Sequence, residues 1–279
     1  MLTSFKRIIK KRVCKWYWNF NECFQYFGEK VYFPKNSIIF KRAIEEGVYE
    51  RVNLKIIKSI IMPNSTIFDV GANIGLMAIP LLNFDESVKV VSIEASPNTA
   101  PYLKKTQFYS SFQHRWTIVD KAVSDRAGSV QFHLTDLANG AYESMQDTKR
   151  VSFYKNIEIV CTTIDDIWES LQRPEVSFIK IDIEGADLLA LRGGISCIKE
   201  FSPAILMEWN SVNIKPFGFR SSDLIDFAKE FEYEIFALPG FSKIDSITDL
   251  NLLSKVTENF LLFPKNQNEC KREQGKRAF

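Results

Sequence analysis

The chain has 279 residues, of which 46% are hydrophobic and 25% charged, a composition that supports a buried core and excludes disordered, collagen-like and disulfide-scaffold proteins. The formal net charge is +2, but residues 1–21 hold six basic residues and no acid, so the remainder carries −4, which argues against a broad nucleic-acid surface. Five scattered cysteines and apolar runs far shorter than a bilayer span indicate a reducing, cytoplasmic location.

The first predicted element is a basic amphipathic helix over residues 5–20. Apolar residues recur there at helical spacing, and lysines and arginines take the other side. Such a helix can lie on an anionic membrane surface, dock on a partner, or cover the core of its own domain, and the pattern leaves the three alternatives open. We therefore treat residues 1–44 as an N-terminal extension, with peripheral membrane contact through residues 1–20 among its expected roles.

From residue 45 onward, the sequence alternates between helical and extended patterns. A helix is predicted over 45–61. Strands are predicted over 66–70, 88–93, 116–119, 177–181, 203–208 and 232–238, with helices near 74–83, 97–109, 186–199 and 221–231. This order is typical of a doubly wound α/β fold, in which helices cover both faces of a parallel sheet.

Some segments depart from the alternation. Residues 128–135 and 157–163 predict an extra β pair joined by a long polar loop, and Pro80 is expected to kink or shorten the first helix of the alternating part. Residues 258–263 predict a last strand that follows 232–238 without a clear helix between them, so we expect it to be antiparallel. The domain is expected to cover 45–264, and 265–279 to be a disordered polar tail.

A glycine loop follows the first strand of this domain, with the sequence Asp69-Val70-Gly71-Ala72-Asn73-Ile74-Gly75. Its glycines let the backbone approach a ligand, and the helix that follows offers unpaired N–H groups. The spacing differs from the Gly-x-Gly-x-x-Gly of dinucleotide enzymes, which favours S-adenosylmethionine over NAD. Glu94, at the end of the next strand, can accept hydrogen bonds from both ribose hydroxyls.

Several blocks in order along residues 45–263 resemble one known family. Besides the glycine loop, they are Glu94-Ala95-Ser96-Pro97, Ala122-Val123-Ser124-Asp125, Thr162-Thr163-Ile164-Asp165, Ile179-Lys180-Ile181-Asp182-Ile183-Glu184-Gly185-Ala186 and Leu191-Arg192-Gly193. Each block is weak alone, and their combination is specific. The chain resembles the FkbM family, a branch of the class I S-adenosylmethionine-dependent methyltransferases.

The resemblance implies a Rossmann-like sheet of seven mostly parallel strands with an antiparallel last strand. It also implies an S-adenosylmethionine-dependent O-methyltransferase that acts on a hydroxyl of a sugar, a glycan or a small metabolite. The cofactor's methionine end would then be lined by Asp69, Gly71, Ala72, Asn73 and Gly75. Glu94 would hold the ribose, and Asp120, after the third strand, would contact adenine, although the neighbouring Lys121 leaves a surface role open.

Methyl transfer to an alcohol needs a base, a metal ion or close positioning of the reactants. The predicted catalytic residues are Asp182 at the carboxyl end of the fourth strand, Glu184 shortly after it, and Glu208 at the end of the fifth. For Glu184 and Asp187, an alternative role is to complement the N-terminus of the following helix.

Oxygen ligands from Asp182, Glu208 and Asn210 would suit a divalent metal such as Mg²⁺, which these residues allow but which we do not expect. His133, on the extra β pair, is a weaker candidate for the base. Two other functions stay open, a nicotinamide-dependent oxidoreductase and a non-catalytic cofactor-binding module recruited through the N-terminal helix. The sequence defines neither the acceptor nor the oligomeric state.

Overall fold

The computed structural model describes residues 21–136, 139–149 and 155–265. The predicted amphipathic helix at 5–20 and the predicted tail, apart from residue 265, lie outside these described residues.

The elements follow one another in chain order. The strands are β1 (Cys23–Tyr26), β2 (Glu29–Tyr32), β3 (Thr66–Val70), β4 (Lys89–Ile93), β5 (Trp116–Val119), β6 (Ala122–Val123), β7 (Gly128–Leu134), β8 (Lys155–Thr162), β9 (Val176–Ile181), β10 (Ala204–Glu208), β11 (Tyr233–Ala237), β12 (Ser242–Ile244) and β13 (Asn259–Pro264). The helices are α1 (Ile38–Glu46), α2 (Arg51–Ile60), α3 (Ala78–Leu82), α4 (Ala100–Tyr109), α5 (Ile164–Ser170), α6 (Asp187–Arg192), α7 (Ile195–Phe201), α8 (Ser211–Ile214), α9 (Ser221–Glu230) and α10 (Ile247–Leu253).

The main sheet has the strand order β12-β11-β13-β10-β9-β3-β4-β5. The neighbours from β10 to β5 are parallel, and β13 runs antiparallel to both β10 and β11. The predicted α/β fold with an antiparallel last strand is therefore confirmed. An eighth strand, β12, extends the expected seven at the β11 edge, and its three residues are too short to give a sequence signal.

The central strands are buried on both faces of the sheet, as expected for parallel strands covered by helices. Along β3, Ile67 joins one buried cluster and Phe68 the other, and along β9, Phe178 and Ile179 divide in the same way. Successive side chains of a strand point to opposite faces, so each strand serves two cores at once. Because both faces of these strands are packed, the positions of their carboxyl ends, where the site lies, are fixed.

Residues 23–46 pack against the same core as the sheet. Phe24, Phe33 and Phe40 are buried in one cluster with Ile57 of α2 and Ile79 of α3. The rings of Phe33 and Phe40 stack with their centroids 4.0 Å apart. The described part of the predicted N-terminal extension is thus continuous with the domain in its packing.

Two predicted helices differ from the observed ones near the amino end. The predicted helix 45–61 is divided, because Gly47 and Glu50 adopt left-handed backbone angles with φ of 75° and 44° between α1 and α2. The predicted helix 74–83 is shortened to α3, in which Pro80 lies in the first turn, where no intrahelical N–H is needed.

Two further differences lie in the second half of the domain. The predicted helix 186–199 is interrupted at Gly193, where a Cβ would lie 2.1 Å from the carbonyl oxygen of Ser124, so the backbones touch there. The expectation of no helix before the last strand was wrong, because α10 lies between β12 and β13. The hydroxyl of Ser246 caps α10 by accepting a hydrogen bond from the N–H of Asp249 (3.2 Å).

The extra β pair is confirmed as β7 and β8, which pair antiparallel, and β6 joins β8 to complete a separate three-stranded sheet. Over the described ranges, no helix combines the length and the apolar character that a bilayer crossing requires.

Candidate functional site

A cavity of about 310 Å³ opens at the carboxyl ends of β3, β4, β9 and β10. This edge is where open α/β sheets bind ligands. Eight of the predicted site residues line it together: Asp69, Gly71, Ala72, Asn73, Glu94, Asp182, Glu184 and Glu208. Two of the predicted cofactor residues, Gly75 and Asp120, lie outside it.

Gly71 brings two strand ends into contact. Its φ of 83° is left-handed, and a Cβ at this position would lie 2.0 Å from the backbone oxygen of Asp182. The N–H groups of Gly71 and Ala72 both donate to the carbonyl of Ile93, at 2.9 and 3.0 Å. Only glycine satisfies both constraints, so this residue sets the spacing between the loop, β4 and β9.

Glu94 is held by the backbone of the loops that flank it. Its Oε2 accepts a hydrogen bond from the N–H of Asn73 (2.8 Å), and its Oε1 accepts one from the N–H of Ser96 (2.9 Å). Burial raises the pKa of Glu94 to about 7, against the opposing effect of these two hydrogen bonds. Each carboxyl oxygen keeps acceptor capacity for a ligand hydroxyl.

Asp69 lies on the floor of the cavity and is fully buried. Neither of its carboxyl oxygens finds a hydrogen-bond partner among the residues that the structure describes. Burial raises its pKa to about 6, although the positive charge of Lys180 opposes the shift. A buried carboxyl group without partners is rare in folded proteins, and this one is available to bind a water molecule or a polar ligand.

Lys180 is the cation of this floor, and the sequence analysis did not place it in the site. It lies on β9, 5% exposed, and its Nζ donates to Oδ2 of Asp182 at 3.1 Å. Burial lowers the pKa of Lys180, but the carboxylates of Asp182, Glu50 and Asp69 together raise it well above its usual range. A lysine within the otherwise uncharged and buried strand Val176–Ile181 was the available signal.

Glu184 and Glu208 are joined by a residue that the sequence analysis missed. Asn213, on α8, donates from Nδ2 to Oε2 of Glu184 (2.8 Å) and to Oε2 of Glu208 (3.1 Å). Burial, followed by the charges of Asp182 and Glu184, raises the pKa of Glu208 well above its usual range. The protonated form of Glu208 is therefore favoured relative to a carboxyl group in water.

Asp187 serves the turn that precedes α6. It is buried, and its Oδ2 accepts a hydrogen bond from the N–H of Gly185 at 3.1 Å. Burial and the charge of Asp182 raise its pKa to about 7. This contact agrees with the alternative role at the helix N-terminus.

The two predicted cofactor residues outside the cavity have other contacts. A Cβ on Gly75 would lie 2.7 Å from the ring of Trp116, so this glycine makes room for packing. Asp120 is exposed and forms an ion pair with Lys104 of α4. The predicted contact of Asp120 with adenine therefore has no support from its position.

The candidate metal ligands Asp182 and Glu208 both line the cavity, but Asn210 and the candidate base His133 do not. Asn210 caps α8 by accepting a hydrogen bond from the N–H of Val212 (2.8 Å), and its amide donates to Glu258. His133 lies on β7, outside the cavity. Within residues 21–136, 139–149 and 155–265, no group of three or more His, Cys, Asp or Glu side chains could hold a metal ion.

Part of the cavity wall comes from segments without a recognisable motif. Tyr49 and Glu50, between α1 and α2, line it together with Asn259 at the start of β13. The buried Asn53 connects Glu50 to Asn259, because its Nδ2 donates to Oε2 of Glu50 (3.2 Å) and to Oδ1 of Asn259 (3.0 Å). Residues 140–143 and Met145 supply the facing wall.

The strand order, the antiparallel β13 and the glycine-loop cavity define the Rossmann-like fold of class I methyltransferases. The family model of the methyltransferase FkbM domain matches residues 69–235, more than half of the chain. The chain belongs to the FkbM methyltransferase family.

Among solved structures, the chain is similar to the FkbM methyltransferase of Methylobacillus flagellatus at 20% identity and a TM-score of 0.46, over 73% of this chain and 44% of that one. It is also similar to a TehB-like S-adenosylmethionine-dependent methyltransferase of Corynebacterium glutamicum, at 11% identity and a TM-score of 0.42, over 81% and 94% of the two chains. An O-methyltransferase of Bacillus cereus, solved in complex with SAH, has 12% identity and a TM-score of 0.43, over 80% and 87%. No curated protein sequence matches the chain.

Proposed function

We propose that this protein transfers a methyl group from S-adenosylmethionine to a hydroxyl of a sugar, a glycan or a small metabolite. The observation that carries the proposal is one cavity that joins the glycine loop and Glu94 to three carboxyl groups, those of Asp182, Glu184 and Glu208. The first part suits the cofactor, and the second suits an acceptor that must lose a proton.

The residues of the cofactor part fit S-adenosylmethionine. The unpartnered carboxyl of Asp69 would accept from the ammonium group at the methionine end, and Gly71 and Asn73 would shape the loop around it. Glu94 would accept from the ribose hydroxyls. When bound, the cofactor supplies an electrophilic methyl group on a positively charged sulfur.

The carboxyl groups of the acceptor part differ in their burial and in the charges beside them. Asp182 lies beside the charged Lys180 and is partly exposed, so it would accept the proton of the acceptor hydroxyl. Glu208, whose pKa burial raises well above its usual range, would form a hydrogen bond with the acceptor hydroxyl. Asn213 would keep Glu184 and Glu208 in a fixed relation during the reaction.

Labelled methyl transfer tests this proposal. The purified protein is incubated with methyl-labelled S-adenosylmethionine and an extract of the source organism, and the labelled product is isolated and identified. We expect a base-stable methyl ether together with S-adenosylhomocysteine. Binding of S-adenosylmethionine is measured by titration calorimetry, with NAD as the comparison ligand. Binding of NAD without binding of S-adenosylmethionine would refute the proposal and favour the oxidoreductase.

Two variants separate catalysis from binding. Asp182→Asn should lower the rate by about 10²-fold or more, as expected for loss of a general base, with S-adenosylhomocysteine binding retained. Asp120→Asn is the control, because its surface ion pair lies outside the cavity. Equal rates for Asp182→Asn and the wild type would remove Asp182 from the mechanism.

A further inference from the structure

After β7, residues 139–149 return to the cavity and form one of its walls. Gly140, Ala141, Tyr142, Glu143 and Met145 all line it. Two hydrogen bonds of Ser144 fix this segment in place. The N–H of His133 donates to the carbonyl of Ser144 (2.8 Å), and the hydroxyl of Ser144 donates to the carbonyl of Glu184 (3.1 Å).

Glu143 is the buried acid of this wall, with 7% of its surface exposed. Its Oε1 accepts three hydrogen bonds, from Nδ2 of Asn98 (2.8 Å) and from the N–H (3.0 Å) and hydroxyl (3.2 Å) of Thr135. Its Oε2 is also buried and has no partner in the part of the chain that the structure describes. This Oε2 lies near Gly140, which also lines the cavity. A Cβ built on Gly140 would be 4.0 Å from it.

The surroundings of Glu143 suit a flat, mostly apolar ring. Val123, Phe132 and Met145 also line the cavity, and Phe132 and Met145 belong to one buried cluster. The two carboxyl groups bind the same short loop after β4, because the N–H of Ser96 donates to Oε1 of Glu94 (2.9 Å) and Nδ2 of Asn98, two residues further on, donates to Oε1 of Glu143 (2.8 Å). A ligand held by Glu94 would therefore reach Glu143.

The hydrogen-bond donors of an adenosyl group determine which of its atoms can bind Glu143. Its hydrogen-bond donors are the two ribose hydroxyls and the exocyclic amine of adenine, because the unsubstituted ring nitrogens only accept. If Glu94 takes the hydroxyls, the amine is the remaining donor for a second carboxyl oxygen. Asp120 lies outside the cavity and is paired with Lys104, so its position offers no such contact in this structure.

We propose that Glu143 is a cofactor-binding residue whose Oε2 accepts a hydrogen bond from the exocyclic amine of adenine. This inference rests on the proposed function, because it takes the cofactor to be S-adenosylmethionine. It assigns to the wall after β7 the contact that the sequence predicted for Asp120.

Titration calorimetry with two ligands tests the assignment. The ligands are S-adenosylhomocysteine and its 6-deamino analogue, in which purine replaces adenine. The wild type should bind the analogue about tenfold more weakly, as for the loss of one hydrogen bond to a charged group. Glu143→Gln should bind S-adenosylhomocysteine about tenfold more weakly than the wild type does, and should no longer distinguish the two ligands. Asp120→Asn is the matched control and should keep the wild-type discrimination.

The other outcomes contradict either the proposed function or the contact between Glu143 and adenine. No binding of S-adenosylhomocysteine to the wild type refutes the proposed function itself. Equal binding of both ligands to the wild type overturns the contact between Glu143 and the amine. The contact is also overturned if Glu143→Gln still binds S-adenosylhomocysteine more tightly than the analogue. It is overturned as well if the variant loses the same affinity for both ligands, which would mean that Glu143 only anchors its loop. Glu143→Asp, which withdraws Oε2 but keeps the charge, provides the same comparison if the glutamine variant does not fold.

Discussion

Substitution of Gly71 by alanine tests how the two strand ends form the cavity. A left-handed φ of 83° costs an L-residue about 1–2 kcal/mol. The new Cβ would also lie 2.0 Å from the backbone oxygen of Asp182, and an ordinary contact begins at 3.4 Å, so the loop must retreat by more than 1 Å. We expect a total loss of about 3 kcal/mol in the free energy of unfolding.

The displacement should affect ligand binding as strongly as stability, because Gly71 and Ala72 are hydrogen-bonded to the end of β4 beside Glu94. A loop displaced by about 1 Å should weaken S-adenosylhomocysteine binding by about 10²-fold. Urea unfolding and titration calorimetry measure the two effects.

A matched control separates the backbone strain from the steric overlap. Gly28, in the β1–β2 turn, has nearly the same φ of 85°, and no described atom lies within 4 Å of its Cβ position. Gly28→Ala should lose only the conformational contribution of about 1 kcal/mol and keep full ligand affinity. If Gly71→Ala and Gly28→Ala lost equal stability and both bound S-adenosylhomocysteine normally, the close approach to Asp182 would be refuted.

Three other predictions concern charge. Burial raises the folded-state pKa of Glu94 to about 7, so the stability it contributes is complete below about pH 4 and is lost as the pH rises through 7. Urea unfolding should therefore show Glu94→Gln gaining stability relative to the wild type between pH 5 and pH 8, whereas parallel pH profiles would contradict the shift. Lys180→Met leaves the carboxylates of Asp69 and Asp182 without their cation and should cost about 3 kcal/mol, and an unchanged urea midpoint would show that the pair is not coupled. In flotation assays, the full chain should rise with phosphatidylserine vesicles at low salt, while a chain lacking residues 1–20 should stay below; equal flotation would exclude that segment as the membrane contact.

The glycine-loop part of the cavity was predictable because its signals are local. Asp69 lies near the end of β3, a strand buried on both faces, Gly71 and Asn73 follow it, and the carboxyl ends of parallel strands share one edge of the sheet. The position of Glu94 follows from the same rule. These residues needed no knowledge of distant contacts.

The rest of the cavity wall was less predictable because distant segments build it. Asn213, Asn53 and Glu143 belong to no motif, and only tertiary packing brings their side chains to the cavity. Asp120 shows the converse limit. Its place after β5 was read correctly, but a strand end does not define the direction of a side chain, and Lys104 of the neighbouring helix holds it at the surface.

The junction made by Asn53 joins two segments that flank the family domain. Glu50 and Asn259 lie outside residues 69–235, the range of the family model, yet both line the cavity. Substitutions there would reshape the cavity without changing a residue of the glycine loop. A protein trimmed to residues 69–235 would also lose β13, which lies between β10 and β11 in the sheet, so the flanking segments are needed for the fold as well as for the cavity wall.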